Sequence, residues 1–475
     1  MARQKDIEVK AEKWSRRRFF ATGGVALSAA ATAHLSGCAH AGSGKSPPGA
    51  GPGAPANQAV QKPRIQRYRT LGRTGFQVSD VSLGCGRIGE SSLVRYACDR
   101  GITYFDTAEA YGNGDSEKKI GEAMPYLDRK KIFLSTKLGV KPEDTEQTLL
   151  DRFARCLERL KTDHVDALYM HCPATVEALK NPVFHKVSAR LKADSKIGHV
   201  GVSSHGPHGA EGESMEKVLC AAADDGRFDL MLLVYNFLNK AEGEKVLAAC
   251  KAKNIGTTGM KASPGTLKLE PFDPENPTGE YAEHLKEMVA RGMTREEAIL
   301  RLQKYAKRAE GEMSKNKPLL EPYLQKFAIQ TQDDLDLKSV EWVLGNPDLH
   351  TVCVSMSDFD RMDRFVPLSG SQISHEGLAL LDAYERTAGR QHCRHGCNAC
   401  VGHCPHGLAV STVMRYAYYF HLQGREKQAM EQYARLRGKN ASLCLDCDAP
   451  CLQGCPHGVA VQANLLRAHA LLTLA

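Results

Sequence analysis

The sequence has little net charge to spare. Its 475 residues carry 63 Lys and Arg against 55 Asp and Glu, a formal +8. The first 37 residues hold seven of those cations and three of the anions, which leaves 56 against 52 for the rest. So mild a balance, with no clustered basic face, excludes nucleic acid as a partner. A long apolar run is missing too. The stretch nearest to a bilayer's length, Phe19 to Gly37, is diluted by Ala, Gly and His34 and makes a poor permanent span. A doubly wound open sheet is the alternative architecture, and no flavin signature is visible. What remains is an ordinary globular composition, 42% apolar and 25% charged. The length exceeds the roughly 250–300 residues at which single cores stop growing.

The N-terminus reads as an address. Ser15-Arg16-Arg17-Arg18-Phe19-Phe20 has the pattern of a twin-arginine export signal, followed by a weakly apolar stretch of small residues. That stretch ends Leu35-Ser36-Gly37-Cys38, which resembles a lipoprotein cleavage box with Cys38 as the acylated residue. A different cleavage site or a retained anchor is the alternative. Residues 1–38 are therefore expected to be the signal, and Gly/Pro-rich residues 39–64 a flexible tether that cannot bury enough apolar surface to fold. The expected location is the periplasmic face, with the membrane reached only through a lipid on Cys38.

From residue 65 short apolar runs alternate with amphipathic stretches. The runs cover 78–86, 102–108, 131–137, 165–171, 199–205, 228–236, 254–261 and 350–356. Between them lie helical patterns such as 146–160, with Leu149, Leu150, Phe153, Leu157 and Leu160 on one face. Eight strands alternating with helices predict a parallel sheet closed into an α/β barrel, a (β/α)8 TIM barrel over 65–372. Residues 67–80 read as a hairpin capping its floor, and 268–336 as a charged helical insertion between strands seven and eight. Active sites of such barrels lie at the C-terminal strand ends. There the sequence places Asp106, Lys137, His171, Ser203, Ser204, Tyr235, Asn236 and Lys261.

The motif Asp106-Thr107-Ala108-Glu109-Ala110-Tyr111-Gly112 resembles the D-T-A-x-x-Y-G of aldo/keto reductases, and Ser135-Thr136-Lys137 and Asp166-to-His171 match the family's lysine and histidine positions. Gly201-Val202-Ser203-Ser204 is similar to its strand-five nicotinamide contact. The resemblance covers about residues 65–370. It implies a catalytic tetrad of Asp106, Tyr111, Lys137 and His171, acting on a small carbonyl or alcohol. In it Tyr111 gives the proton, Lys137 and Asp106 tune it, and His171 orients the substrate oxygen. It further implies NAD or NADP, contacted by Gly86, Arg87, Ser203, Ser204, Tyr235, Lys261, Ser355 and Ser357, with Tyr235 stacked on the nicotinamide. Three positions depart from the family pattern. Asp358 stands about where a cation meets the 2′-phosphate of NADP, Leu232 replaces a glutamine, and Arg364 and Phe365 stand where Glu-Asn often contacts adenine.

Eight of the sixteen cysteines crowd into two runs, CRHGCNACVGHCPHGLAV at 393–410 and CLDCDAPCLQGCPHGVAV at 444–461. The final seven residues of the two runs differ at one position, so the region over 388–475 reads as a duplicated unit. The spacings C-x3-C-x2-C-x3-C-P and C-x2-C-x3-C-x3-C-P are each one residue from the bacterial ferredoxin run. Zinc and disulfides are the alternatives. The proline after each fourth cysteine argues against zinc, and an export route for folded protein argues against disulfides. A small α-rich ferredoxin-like domain with two 4Fe-4S clusters is expected. By ferredoxin logic one cluster takes Cys393, Cys397, Cys400 and Cys455, and the other Cys444, Cys447, Cys451 and Cys404. The arrangement resembles a bacterial subgroup of aldo/keto reductases with such a domain. The whole is expected to be an exported oxidoreductase coupled to its clusters, with a redox partner protein. The alternative is an electron-transfer protein whose barrel is a scaffold. If the export reading holds, changing Arg16 and Arg17 to Lys traps cluster-loaded precursor in the cytoplasm, as cell fractionation would show. Normal export of that variant would refute it.

Overall fold

The computed structural model describes residues 62–264, 272–436 and 439–473, so the export signal, Cys38 and nearly all of the tether lie outside the described residues. Eight parallel strands close a barrel: β3 (Val81–Gly84), β4 (Tyr104–Asp106), β5 (Phe133–Leu138), β6 (Val165–His171), β7 (Ile197–Ser204), β8 (Leu230–Val234), β9 (Gly256–Met260) and β10 (Thr351–Val354), with β10 returning to β3. Every predicted apolar run supplies one strand. Most strands are buried on both faces, as expected where helices cover the outside and side chains fill the inside. That is why the sequence shows continuous apolar runs there rather than strict alternation.

Before the barrel, β1 (Tyr68–Thr70) and β2 (Gln77–Ser79) pair antiparallel as the expected hairpin. It lies under the barrel floor, where Arg73 N–H donates to the Asn254 carbonyl at 2.7 Å, just ahead of β9. The predicted amphipathic helix runs Glu146–Leu160. Thr145 caps its N-terminus reciprocally with Thr148, and Leu149, Phe153, Cys156 and Leu160 are buried, while Leu150 and Leu157 lie at the edge of that face. Inside the barrel Tyr104 and Tyr169 meet hydroxyl to hydroxyl at 3.1 Å. Gly201 makes room for this pair, since a Cβ there would stand 2.5 Å from the Tyr169 ring.

The insertion between β9 and β10 is helical: Gly279–Ala290, Arg295–Lys326 and Gln332–Leu344. It does not project from the barrel as a separate arm. Tyr281, Met288, Leu302 and Tyr305 share one apolar core with Leu408, Val413, Tyr433 and Leu465 of the C-terminal region. Leu320 packs with Leu380, Leu381 and Tyr384 of the helix His375–Ala388. The C-terminal region is α-rich, with helices Val410–Gln423, Glu426–Ala434 and Val461–Leu472. The first and third start six residues after Cys404 and Cys455, the fourth cysteines of the two runs, so the sequence repeat is also a structural one. No helix among the described residues is long and apolar enough to cross a membrane.

The first cysteine run lies directly on the barrel rim. Met215 N–H donates to the Gly396 carbonyl at 2.8 Å, and Asn398 Nδ2 donates to the Gly212 carbonyl at 3.0 Å. Gly206, with φ +93°, passes so close beneath that a Cβ would stand 1.9 Å from the His395 carbonyl oxygen. Gly206→Ala therefore meets a left-handed backbone and a backbone clash together. It should cost on the order of 2–4 kcal/mol and expose the 393–410 run to protease before the barrel melts. A variant with unchanged melting and protease resistance would contradict this seating.

Candidate functional site

At the C-terminal ends of β4, β5 and β6 the structure brings the four predicted catalytic residues together. Asp106 ends β4, Lys137 is the penultimate residue of β5, His171 ends β6, and Tyr111 follows β4 in a short helical turn. Lys137 Nζ lies 2.6 Å from Asp106 Oδ2, 2.7 Å from the Thr107 carbonyl and 3.4 Å from the Tyr111 hydroxyl. Both members of the ion pair are buried. Asp106 is steered in turn by Ser135, whose hydroxyl donates to Oδ1 at 3.0 Å. The Tyr111 and His171 rings meet edge to face at 5.8 Å.

Burial sets the protonation states. It pulls Lys137 down, but Asp106 and Tyr111 outweigh it and hold the ammonium above the ordinary lysine range. Tyr111 is pushed up to about 12 by burial, against the opposing pull of Lys137. The lysine thus limits the rise without making the phenol acidic. His171 is pulled down to about 3, by burial first and then by Lys137, Lys261 and Arg425, so its imidazole is neutral at ordinary pH.

These residues line a cavity of about 360 Å³ whose walls come from two regions of the chain. Gly86, Lys261 and Ser355 of the expected cofactor set line it, as do Leu232, Cys172, His205 and His208 of the barrel. Its roof is the C-terminal region: Arg415, Tyr416 and Tyr419 of the helix Val410–Gln423, then Arg425, Gln428 and Gln432. His205 is one residue past the strand-end position taken from the sequence. The roof residues carry no local signal, being more than 200 positions from the catalytic residues they cover.

Three expected cofactor contacts lie elsewhere. Strand side chains alternate faces, and Leu232 points into the cavity, so Tyr235, three residues on, falls outside the barrel wall. There it packs on Trp342 at 5.1 Å between ring centres and accepts from Asn346 Nδ2 at 2.7 Å, so it cannot stack on a nicotinamide. Ser203 is turned to Met170 and Cys172 at the end of β6, and Ser204 accepts from Gly206 N–H at 3.1 Å. Neither lines the cavity. The remaining contacts are occupied by protein. Arg87 donates to the Leu422 carbonyl, Arg425 to the Gly86 carbonyl, and Lys261 lies over the rings of Tyr418 and Tyr419. Ser357 donates to Asp358, which caps the helix Phe359–Phe365. Arg361 is bound to Asp333 and Asp336, and Arg364 to Asp334, all three acids on the insertion helix Gln332–Leu344. The space left along Arg87, Ser263, Ser355 and Arg361 is about 100 Å³ and shares Lys261, Cys353 and Ser355 with the catalytic cavity, but the side chains that would hold a dinucleotide along it are bound to protein. With the roof seated in this way a nicotinamide dinucleotide does not fit.

The eight crowded cysteines form two groups of thiols. Burial raises Cys393, and Cys400, Cys397 and Cys455 add to it; burial raises Cys444, and Cys451, Cys404 and Cys447 add to it. Each fourth cysteine therefore stands with the first three of the other run. Both runs present equivalent N–H groups to sulfur at 3.4 Å: Leu408 to Cys404 and Val459 to Cys455, Ala399 to Cys397 and Ala449 to Cys447. All eight thiols are free. Two sets of four thiols with backbone donors aimed at sulfur fit two iron–sulfur clusters.

Residues 90–386 match the model of the aldo/keto reductase family, over more than half of the chain. The chain belongs to the aldo/keto reductase family. Among curated relatives it is 29% identical over 156 residues to an aldo-keto reductase of Bacillus subtilis, covering 29% of this chain and 46% of that protein. It is 33% identical over 127 residues to a 6-dehydroglucose reductase of Novosphingobium aromaticivorans, covering 22% and 41%. The chain spans about half or less of the length of several such relatives. The holo form of an aldo-keto reductase from Bacillus halodurans aligns with a TM-score of 0.45 at 16% identity, covering 67% of this chain and 96% of that one. The family is one of oxidoreductases that use NADP(H).

The thiol grouping makes a direct forecast. Anaerobically purified protein should hold about eight irons and eight labile sulfides. Cys404→Ser should perturb the spectrum of the cluster bound by 444–451, and Cys455→Ser that of the cluster bound by 393–400. Stoichiometric zinc, or damage confined to each cysteine's own run, would overturn the assignment.

Proposed function

We propose that this protein is an exported oxidoreductase that interconverts a small carbonyl compound and its alcohol at the Asp106–Tyr111–Lys137–His171 site, with two 4Fe-4S clusters in its C-terminal region. The observation that carries the reading is the buried Lys137 bridging Asp106 and Tyr111 at 2.6 and 3.4 Å.

The proton chemistry follows from the residues. As a carbonyl carbon is reduced, negative charge grows on its oxygen. The Tyr111 hydroxyl donates its proton there, because an alkoxide is a much stronger base than a phenolate even when burial holds the phenol near 12. Lys137 stabilises the phenolate left behind, and Asp106 keeps the ammonium charged and in place. Neutral His171 donates a hydrogen bond to the same oxygen without competing for its proton. In the oxidative direction the roles reverse, with the Tyr111 phenolate as base.

Converting the carbonyl to its alcohol takes two electrons and two protons: Tyr111 gives one proton and solvent the other, and the electrons come singly from a redox partner protein, the transfer that clusters held by Cys393, Cys397, Cys400 and Cys455 and by Cys444, Cys447, Cys451 and Cys404 would supply when bound. The helix that follows the first run also roofs the cavity, which supports a coupling between cluster domain and barrel. A twin-arginine signal suits a protein exported with clusters loaded, and Cys38 would tether it to the membrane at the periplasmic face near a redox partner protein.

Tyr111→Phe should lower carbonyl reduction by at least about a hundredfold while melting temperature and iron content hold. Lys137→Met should lower it comparably and also destabilise the barrel by ~3–5 kcal/mol, because it strands Asp106 in the interior. Full activity in Tyr111→Phe would refute the proton-donor role and return the barrel to a scaffold.

A further inference from the structure

The roof of the cavity carries cations that nothing in the protein neutralises. Arg415 is fully buried, with its Nη atoms on the His205 and Pro207 carbonyls at 3.2 and 2.9 Å, while Nε has no hydrogen-bond partner. Arg425 reaches Gly86 through one Nη, and its guanidinium carbon lies 5.7 Å from the centre of the Tyr111 ring. Among the described residues neither arginine has an ion-pair partner. Among the described residues the only carboxylate lining the cavity is Asp106, and it is committed to Lys137. Lys261 also lines the wall, beside His205; burial first, then Arg415, pushes it well below the ordinary lysine range.

A buried guanidinium without a counter-charge is costly, and an anion entering the cavity relieves that cost. We propose that the substrate is a short-chain carbonyl or hydroxy acid whose carboxylate is bound by Arg425 and Arg415 while its carbonyl lies on Tyr111 and His171. This rests on the catalytic reading above and adds to it the substrate's chemical class. The separation sets the chain length. The Arg425 guanidinium carbon lies 5.7 Å from the centre of the Tyr111 ring, so one short molecule can place its carboxylate at Arg425 and its carbonyl at the Tyr111 hydroxyl. A cavity of about 360 Å³ holds a molecule of that size. A phosphoryl group offers the same charge, but its source in this family is the dinucleotide, and the cations beside the cavity that would meet its phosphates are paired with Asp333, Asp334 and Asp336. The carboxylate binders therefore come from the cysteine-bearing region, some 300 positions after the tetrad, and the site is complete only when that region is seated on the barrel.

Calorimetric titration of the full-length, cluster-replete protein tests this without reading turnover. The probes are pyruvate, its uncharged isostere diacetyl, and inorganic pyrophosphate. Pyruvate should bind at least roughly tenfold more tightly than diacetyl, and Arg425→Gln should weaken pyruvate roughly tenfold to a hundredfold while leaving diacetyl unchanged. Arg425→Lys should recover part of the loss. Equal affinity of the wild-type protein for pyruvate and diacetyl would overturn the proposal and needs no variant. So would binding of pyrophosphate in preference to pyruvate, or an unaltered preference in Arg425→Gln. If pyruvate binds by Arg425 but is never reduced, the catalytic reading fails and the carboxylate site stands. If diacetyl is reduced as well as pyruvate with no charge preference, catalysis stands and the carboxylate site fails.

Discussion

A single buried ion pair organises the mouth of this barrel. Lys137 is enclosed in protein, and Asp106 is its only acidic partner among the described residues. Leaving either alone would strand a charge in the interior at a cost of ~3–5 kcal/mol. The pair therefore fixes the ends of β4 and β5 against each other and directs a constant positive charge at Tyr111. Behind it the polar chain continues through Ser135 to the Tyr104 and Tyr169 hydroxyls in the barrel interior. The charged site is thereby anchored in the most rigid part of the fold, not in its loops. Burial does the rest, holding Tyr111 protonated and His171 neutral.

The second constraint is the seat of the C-terminal region. The insertion Gly279–Leu344 adds Tyr281, Met288, Leu302 and Tyr305 to the apolar core of that region, and its acids Asp333, Asp334 and Asp336 take up Arg361 and Arg364 beside β10. The insertion thus supports the region whose helix Val410–Gln423 roofs the active-site cavity, and it pairs the cations that a nucleotide phosphate would need. Insertion, roof and altered cofactor loop make physical sense together, as parts of one rearrangement of the barrel mouth.

The barrel was legible in the sequence because each strand announces itself as an apolar run bounded by polar residues. The tetrad was legible because Asp106, Lys137 and His171 stand where those runs end. The cysteine grouping was legible because the repeat of CPHG-x-AV marks equivalent positions in two halves. Tyr235 was misplaced because a strand-end position says nothing about which face a side chain takes; counting by twos from Leu232 puts it outside. Ser203 and Ser204 are polar, but their hydroxyls are spent on neighbouring strand ends and turns. Arg415 and Arg425 could not be read at all. Their role comes from a helix folding back across the barrel, a contact between distant segments that no local pattern encodes.

The central claim is that burial and the Lys137–Asp106 pair hold each group at the reaction centre in one protonation state through neutral pH. The pH dependence of kcat/KM for carbonyl reduction reads this directly. With His171 pulled down to about 3 and Tyr111 raised to about 12, acid Tyr111 and neutral His171 both persist across the physiological range. The account predicts a profile flat from roughly pH 6 to pH 9 that falls only as Tyr111 loses its proton in strong alkali. A limb with a midpoint near 6.5, abolished by His171→Gln, would contradict it.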